Sequence, residues 1–136
     1  MASQGFSQHS ARPKYNWVYY LLILLVIEKI IQHVLVTLAF YFNWGDIAST
    51  VAVSPTILMI LGALAVVLFA LSLWGMIRKK TWAVNLVIAL ALFDILGEFV
   101  AQGQICILIN VSFIVATLLL ILALSYRRRL HLMTFS

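Results

Sequence analysis

The stretch that decides the fold is WVYYLLILLVIEKIIQHVLVTLAFYF, residues 17–42. A helix of this length rises about 39 Å at about 1.5 Å per residue, whereas the hydrocarbon core of a bilayer is about 30 Å thick. Its aromatic residues collect at both ends, as interfacial side chains of membrane-spanning helices do. We therefore expect a first transmembrane helix that is tilted or that protrudes from the membrane.

The rest of the chain has the same membrane-type composition. Of its 136 residues, 65% are hydrophobic and 10% are charged, and the mean hydropathy is +1.11. Soluble domains are about 45–50% apolar and about 25% charged. We expect a single domain, because the polar segments outside the apolar runs are too short to bury a core of their own.

Three further apolar runs follow the first, at about residues 55–77, 82–101 and 105–125. Ser54 and Pro55 give the second run a helix start signal, an N-cap followed by proline at the first helical position. The connections between the runs are short, so neighbouring helices are expected to be antiparallel.

The predicted fold is therefore an all-α integral membrane protein, an antiparallel four-transmembrane-helix bundle. The bundle covers residues 17–126, between a flexible N-terminal tail over residues 1–16 and a basic C-terminal tail over residues 127–136. Residues 43–54 form the exposed loop between the first two spans.

The basic residues predict the orientation of this bundle. Of the nine Lys and Arg residues, two precede the first span, three lie between the second and third, and three follow the fourth. The other two loops contain none, so the positive-inside rule places both termini in the cytoplasm, and we expect a prokaryotic cytoplasmic membrane. Nucleic acid is not an expected partner, because the cations form no continuous basic face.

Five ionisable side chains interrupt the apolar spans: Glu28, Lys29, His33, Asp94 and Glu98. Charge at membrane depth is costly, so such residues usually face the interior of a bundle and often mark a functional site. Counted from the cytoplasmic ends, the cluster on the first helix lies about 16–24 Å deep and that on the third about 18–24 Å deep. Because both helices run in the same direction, we expect the two clusters to meet at one level.

The helical phase supports contact between the two clusters. At about 100° per residue, the polar residues of the first span fall on an arc of about 140° and those of the third on an arc of about 80°. Each helix thus has one polar stripe, and the stripes are expected to face each other inside the protein. These stripes add Gln32 and Gln102 as secondary polar lining. Asn110, about six residues in from the outer end of the fourth span, is expected to join them from a third helix.

The chemistry of this cluster has several interpretations. A network of ion pairs could serve only to fix the register of the helices. Three acids against one lysine leave a formal excess of two negative charges, which a proton or a cation would neutralise. Two carboxylates and a histidine also form a permissive metal-ligand set, but Lys29 opposes a dication, and we expect neither a metal nor another cofactor. Acid–base catalysis would use the same side chains.

The favoured function is a non-enzymatic bundle that acts as a subunit or interaction partner in a membrane assembly. The alternative is a proton- or cation-coupled small carrier or ligand-binding protein that uses Glu28, Asp94 and Glu98. A second alternative is an intramembrane enzyme on a lipid-soluble substrate, without assigned catalytic residues. The expected partners are the lipid bilayer, a second copy or another membrane protein, and a proton or a small cationic or amphipathic ligand.

Overall fold

The computed structural model describes residues 16–102 and 111–134, and all regular secondary structure within them is helical. The expectation of an all-helical chain is therefore confirmed for these residues. The four long helices and one 3-10 helix are α1 (Asn16–Phe42), a 3-10 helix (Trp44–Thr50), α2 (Pro55–Ile77), α3 (Thr81–Gln102) and α4 (Val111–Thr134).

Three of the described helices are long and apolar enough to cross a membrane: Trp17–Phe42, Pro55–Ile77 and Thr81–Ala101. Large apolar side chains cover their outward faces, as a surface in contact with acyl chains requires. The fourth predicted span begins outside the described residues. Its described part lies in α4, whose helix continues through the basic residues at 127–129.

The four long helices pack around a common core. Helix α1 packs against α2 and α4, and α3 packs against the same two neighbours, so α1 and α3 face each other across the core. The apolar centre includes fully buried side chains from all four helices: Leu22, Val26, Phe69, Val87, Ala91 and Leu119. Side chains that α1 and α3 direct inward can therefore meet in the middle without the two backbones touching.

Helices α2 and α3 approach each other closely at Gly75, near the end of α2. A Cβ atom built there would lie 2.7 Å from the Cβ atom of Ala83 and 2.7 Å from a ring carbon of Trp82. Nearby, the Tyr19 hydroxyl donates a hydrogen bond of 2.8 Å to the Met76 carbonyl, which ties α1 to the same end of α2. The absence of a side chain at Gly75 thus sets the spacing between α2 and α3.

A tight turn closes α2 and starts α3. The backbone N–H of Lys80 donates to the Gly75 carbonyl at 2.9 Å, and that of Lys79 donates to the Met76 carbonyl at 2.9 Å. Lys79 has the left-handed conformation, with φ of 55°, at the position where a helix end of this kind usually has glycine. These bonds satisfy two carbonyls of the last turn of α2 and fix the basic turn against the helix ends.

At the opposite end, the segment after the 3-10 helix is attached to α3. The backbone N–H of Ala52 donates a hydrogen bond of 3.0 Å to the carbonyl of Ala101 in the last turn of α3. Asn43 begins the loop in a left-handed conformation and accepts a hydrogen bond of 3.0 Å from the backbone of Ala48 through its side-chain oxygen. The loop is thereby held over the ends of α2 and α3.

Candidate functional site

The centre of the site is Asp94 on α3, whose carboxylate contacts two side chains of α1. The ammonium Nζ of Lys29 lies 3.1 Å from Oδ2, and Nε2 of His33 lies 3.0 Å from Oδ1. The side chain of Asp94 is only 5% exposed. The expectation that polar residues of α1 and α3 meet inside the protein is thus confirmed for these three residues.

Lys29 is completely buried, and its ammonium group is surrounded by oxygen atoms. Besides Asp94, it donates to Oε1 of Gln32 at 2.9 Å and to the backbone carbonyl of Ser112 at 3.1 Å. The Ser112 hydroxyl oxygen lies 3.2 Å away. An ammonium has three N–H donors, so these oxygens satisfy its hydrogen bonds in full. A charge at this depth is tolerated only with such partners.

His33 connects the carboxylate to the apolar core. Its Nε2–H donates to Asp94, and Oδ2 lies 3.3 Å away, so the bond is shared by both carboxylate oxygens. The imidazole ring stacks on Phe69 of α2, with ring centroids 5.5 Å apart and planes inclined by 24°. A carboxylate partner and a stacked ring fix the orientation of the imidazole, and the side chain remains 18% exposed.

A cavity of about 120 Å³ opens beside this pair. Its polar lining consists of His33, Asp94, Glu98 and Ser112. Apolar residues of α2 and α3 complete the walls: Leu58, Leu61, Phe93, Gly97 and Ala101. Because Ala101 also accepts the hydrogen bond from Ala52, the cavity lies under the loop that follows the 3-10 helix.

Glu28 does not share this cavity, although it is adjacent to Lys29 in sequence. It lines a separate groove of about 360 Å³ along α1, together with Leu24, Ile31, Gln32, Leu35 and Ile27. Its Oε2 atom is inaccessible to solvent and has no hydrogen-bond partner among the described residues. The cluster predicted from sequence is therefore divided between two faces of α1.

Two residues of the predicted secondary polar lining cannot be placed. The side chain of Gln102 and the whole of Asn110 lie outside the described residues. Thr117 donates a 2.8 Å hydrogen bond to the Phe113 carbonyl within α4. The contribution of α4 to the site comes instead from Ser112, which the sequence did not single out because one serine near a helix start is an ordinary feature.

The described part of the chain contains no group of three His, Cys, Asp or Glu side chains arranged to hold a metal ion. The place between Asp94, Gln32 and Ser112 is taken by the Lys29 ammonium itself. The cavity beside this ion pair brings together one imidazole, two carboxyl groups and one hydroxyl.

Comparison with known proteins gives no relative. The chain matches no protein-family model, and no curated protein or solved structure is significantly similar to it. The function must therefore be inferred from the helices, the buried ion pair and the cavity beside it. The chain is a helical, membrane-type protein with a buried Lys29–Asp94 salt bridge.

Proposed function

We propose that this protein is a non-enzymatic integral membrane protein of four spans that binds one proton or one small monovalent cation in the cavity beside Asp94 and Glu98. The observation that carries this proposal is the cavity itself. A polar cluster that only fixed the helix register would be filled by packed side chains. This cluster instead borders an open cavity, which is lined by His33, two carboxylates and a hydroxyl.

The charges around the cavity favour a ligand with a single positive charge. Lys29 and Asp94 have opposite charges in contact, and His33, Asp94 and Glu98 place one imidazole and two carboxyl groups along the cavity. Ionisable groups gathered in apolar surroundings favour uptake of a proton or a cation. Because the three titratable groups are close together, the proton belongs to the group as a whole.

The size of the cavity sets the class of ligand. A volume of about 120 Å³ has room for about four water molecules at about 30 Å³ each. This is room for a hydrated proton path, a small inorganic cation or a small organic amine. The apolar wall formed by Leu58, Leu61 and Phe93 would accommodate the alkyl part of an amine.

The basic clusters support the proposed topology. Arg78, Lys79 and Lys80 lie in the turn between α2 and α3, and all three are exposed. The cations at 127–129 lie near the end of α4, so both clusters would face the cytoplasm in a chain with cytoplasmic termini. The Asp94 cavity would then lie nearer the outer surface, below the loop at 43–54.

Glu98→Gln tests the proposed site. We expect the purified protein in lipid bicelles to take up more protons between pH 8 and pH 6 than its Glu98→Gln variant does, because the variant lacks one carboxylate of the cavity. The difference between the two proteins isolates the contribution of the cavity from that of the histidines elsewhere in the chain. Asp46→Asn, in the exposed outer loop, is the matched control and should leave the proton uptake unchanged.

Equal proton uptake by the parent protein and by Glu98→Gln would contradict the proposed site.

Transport is measured separately, by reconstituting the protein in vesicles and following the decay of an imposed pH gradient. Faster decay that is lost in Glu98→Gln would indicate a carrier, and uptake without faster decay would indicate a binding protein.

A second candidate function, participation in a membrane assembly, is favoured by Glu28. Its unpartnered carboxylate oxygen lies in a groove whose other side chains include exposed Leu24, Ile31 and Leu35. Together these four residues have the alternating spacing of four and three that defines a helix–helix seam, with Glu28 as its one polar position. We propose a second copy of the chain as the partner, in which the side-chain amide of Gln32, which lines the same groove, would donate to Glu28.

The oligomeric state tests this second function. In lipid vesicles at low protein density, single-molecule photobleaching should show two copies per complex. Glu28→Leu should weaken association about threefold or more, since one polar contact between membrane helices contributes about 0.6 kcal/mol on average. Leu64→Ala, on the exposed face of α2, is the control and should have no effect. Single copies of the parent protein at every density would contradict the assembly.

A further inference from the structure

The basic end of the protein contains two adjoining cavities that the site at Asp94 does not explain. One, of about 190 Å³, is lined by residues of α3 and α4: Thr81, Val84, Asn85, Arg127, Leu130 and His131. The other, of about 140 Å³, adds the turn before α3 and two tyrosines: Tyr19, Met76, Lys79, Lys80 and Tyr126. The cavities share Thr81, Val84 and Leu130. They therefore form one two-lobed depression.

Each lobe has at least one cation. Lys79 and Lys80 line the lobe next to the turn, and Arg127 lines the other, together with the imidazole of His131. Lys79, Lys80 and Arg127 are all exposed, so their charged groups can reach a ligand at the surface. By contrast, Arg78 is directed away, because its guanidinium lies over the ring of Trp74 at 5.5 Å from the centroid.

No acidic residue neutralises these cations. The chain contains four acids, and they lie at positions 28, 46, 94 and 98. Asp94 is paired with Lys29 and His33 in the core, and Asp46 is in the loop that follows α1 at its other end. Positive charge concentrated in a concave surface without counter-charge is a site for an anion.

The lining identifies the class of anion. Between the two cationic rims lie the apolar side chains of Val84, Leu130 and Met76, and the Thr81 hydroxyl and the Asn85 amide provide neutral hydrogen-bonding groups. An acidic phospholipid has both an anionic headgroup for the rims and acyl chains that remain in the bilayer. Basic depressions between transmembrane helices on the cytoplasmic side bind lipid phosphates in this way.

We propose that this depression, which we call the basic depression, binds the headgroup of an acidic phospholipid with two phosphates, one in each lobe. Lys79 and Lys80 would contact one phosphate, and Arg127 with His131 the other. The shared residues Val84 and Leu130 would lie beneath the glycerol that connects them. This site is independent of the cavity at Asp94 and of the ligand proposed there.

Lipid affinity measured with the full chain tests the proposal. Cardiolipin, which has two phosphates, is titrated into the protein in neutral detergent, and binding is followed by native mass spectrometry. Lys80→Gln and Arg127→Gln remove one cation from each lobe, and each should weaken binding about fivefold, since one basic residue near an anionic surface contributes about 1 kcal/mol. The double variant should lose about twenty-five-fold, because the lobes act on different phosphates.

Two matched variants control for the overall charge and for the fold. Arg128→Gln removes the adjacent cation, which is exposed but lines neither lobe, and should change affinity by less than about twofold. Arg127→Lys keeps the charge and should retain most of the affinity. Equal losses in Arg127→Gln and Arg128→Gln would overturn the proposal in favour of unspecific surface charge.

Two other ligands test whether the basic depression recognises both phosphates and the lipid part of cardiolipin. Phosphatidylglycerol, with one phosphate, should bind more weakly than cardiolipin and should respond strongly to only one of the two substitutions. Inorganic pyrophosphate tests a free phosphate source, and it should bind far more weakly than cardiolipin because it lacks the glycerol and acyl chains. Pyrophosphate that binds as tightly as cardiolipin would overturn the assignment to a lipid.

Discussion

Replacing Asp94 with asparagine is expected to lower the free energy of unfolding by about 3–5 kcal/mol, the usual cost of removing one partner from a buried ion pair. The substitution preserves the shape of the side chain but leaves the ammonium of Lys29 without a counter-charge at 0% exposure. Its remaining partners, Gln32 and Ser112, are neutral. The stability is measured by unfolding with SDS from mixed micelles.

Lys29→Met is the informative comparison, because it should cost less than Asp94→Asn. Without Lys29, the Asp94 carboxylate still contacts His33, which can take a proton and become a cation. The asparagine of Asp94→Asn, being neutral, provides no such charge opposite Lys29. If Lys29 instead faced lipid, Lys29→Met would stabilise the protein. That result would contradict the burial of Lys29 on the inward face of α1.

The second large effect is expected at Gly75, where the methyl group of an alanine should cost about 1–3 kcal/mol of stability through overpacking of the core. The new methyl group would lie 2.7 Å from both the Ala83 Cβ atom and a ring carbon of Trp82, so α2 and α3 must separate. Helix propensity acts in the opposite direction, since alanine is favoured over glycine by about 0.5–1 kcal/mol in a helix. The measured cost is the difference between these two terms.

Gly97 provides the control for Gly75→Ala. Gly97→Ala places its Cβ atom where no atom lies within 4 Å, so only the gain in helix propensity remains. This variant should be neutral or slightly stabilising. A Gly75→Ala protein as stable as Gly97→Ala would contradict the close packing of α2 and α3.

The sequence predicted the features that depend on one helix at a time. Helix α2 begins at Pro55, as the Ser54–Pro55 signal indicated, and the apolar run at 17–42 forms nearly all of α1. The equal depth of the polar clusters on the first and third helices also predicted that they meet, and Lys29 and His33 do contact Asp94. These predictions use only helical rise and phase, which are the same in every α-helix.

The features that depend on neighbouring helices could not be predicted. Helical phase placed Glu28 and Lys29 on one arc, but about 100° separates consecutive side chains, and the position of α4 decides which of them enters the core. Lys29 is buried against Ser112, whereas Glu28 lines a groove on another face of α1. The cavity at Glu98 likewise arises from side chains of several helices, so no single stretch of sequence indicates it.

The most direct test is the coupling free energy between Lys29 and Asp94, measured with Lys29→Met, Asp94→Leu and the double variant in the same SDS unfolding assay. If the two side chains form an ion pair inside the protein, the double variant leaves neither charge unpaired and should be clearly more stable than the sum of the single losses predicts. Losses that add to within about 0.5 kcal/mol would show that the two residues do not interact, and the buried site would have to be abandoned.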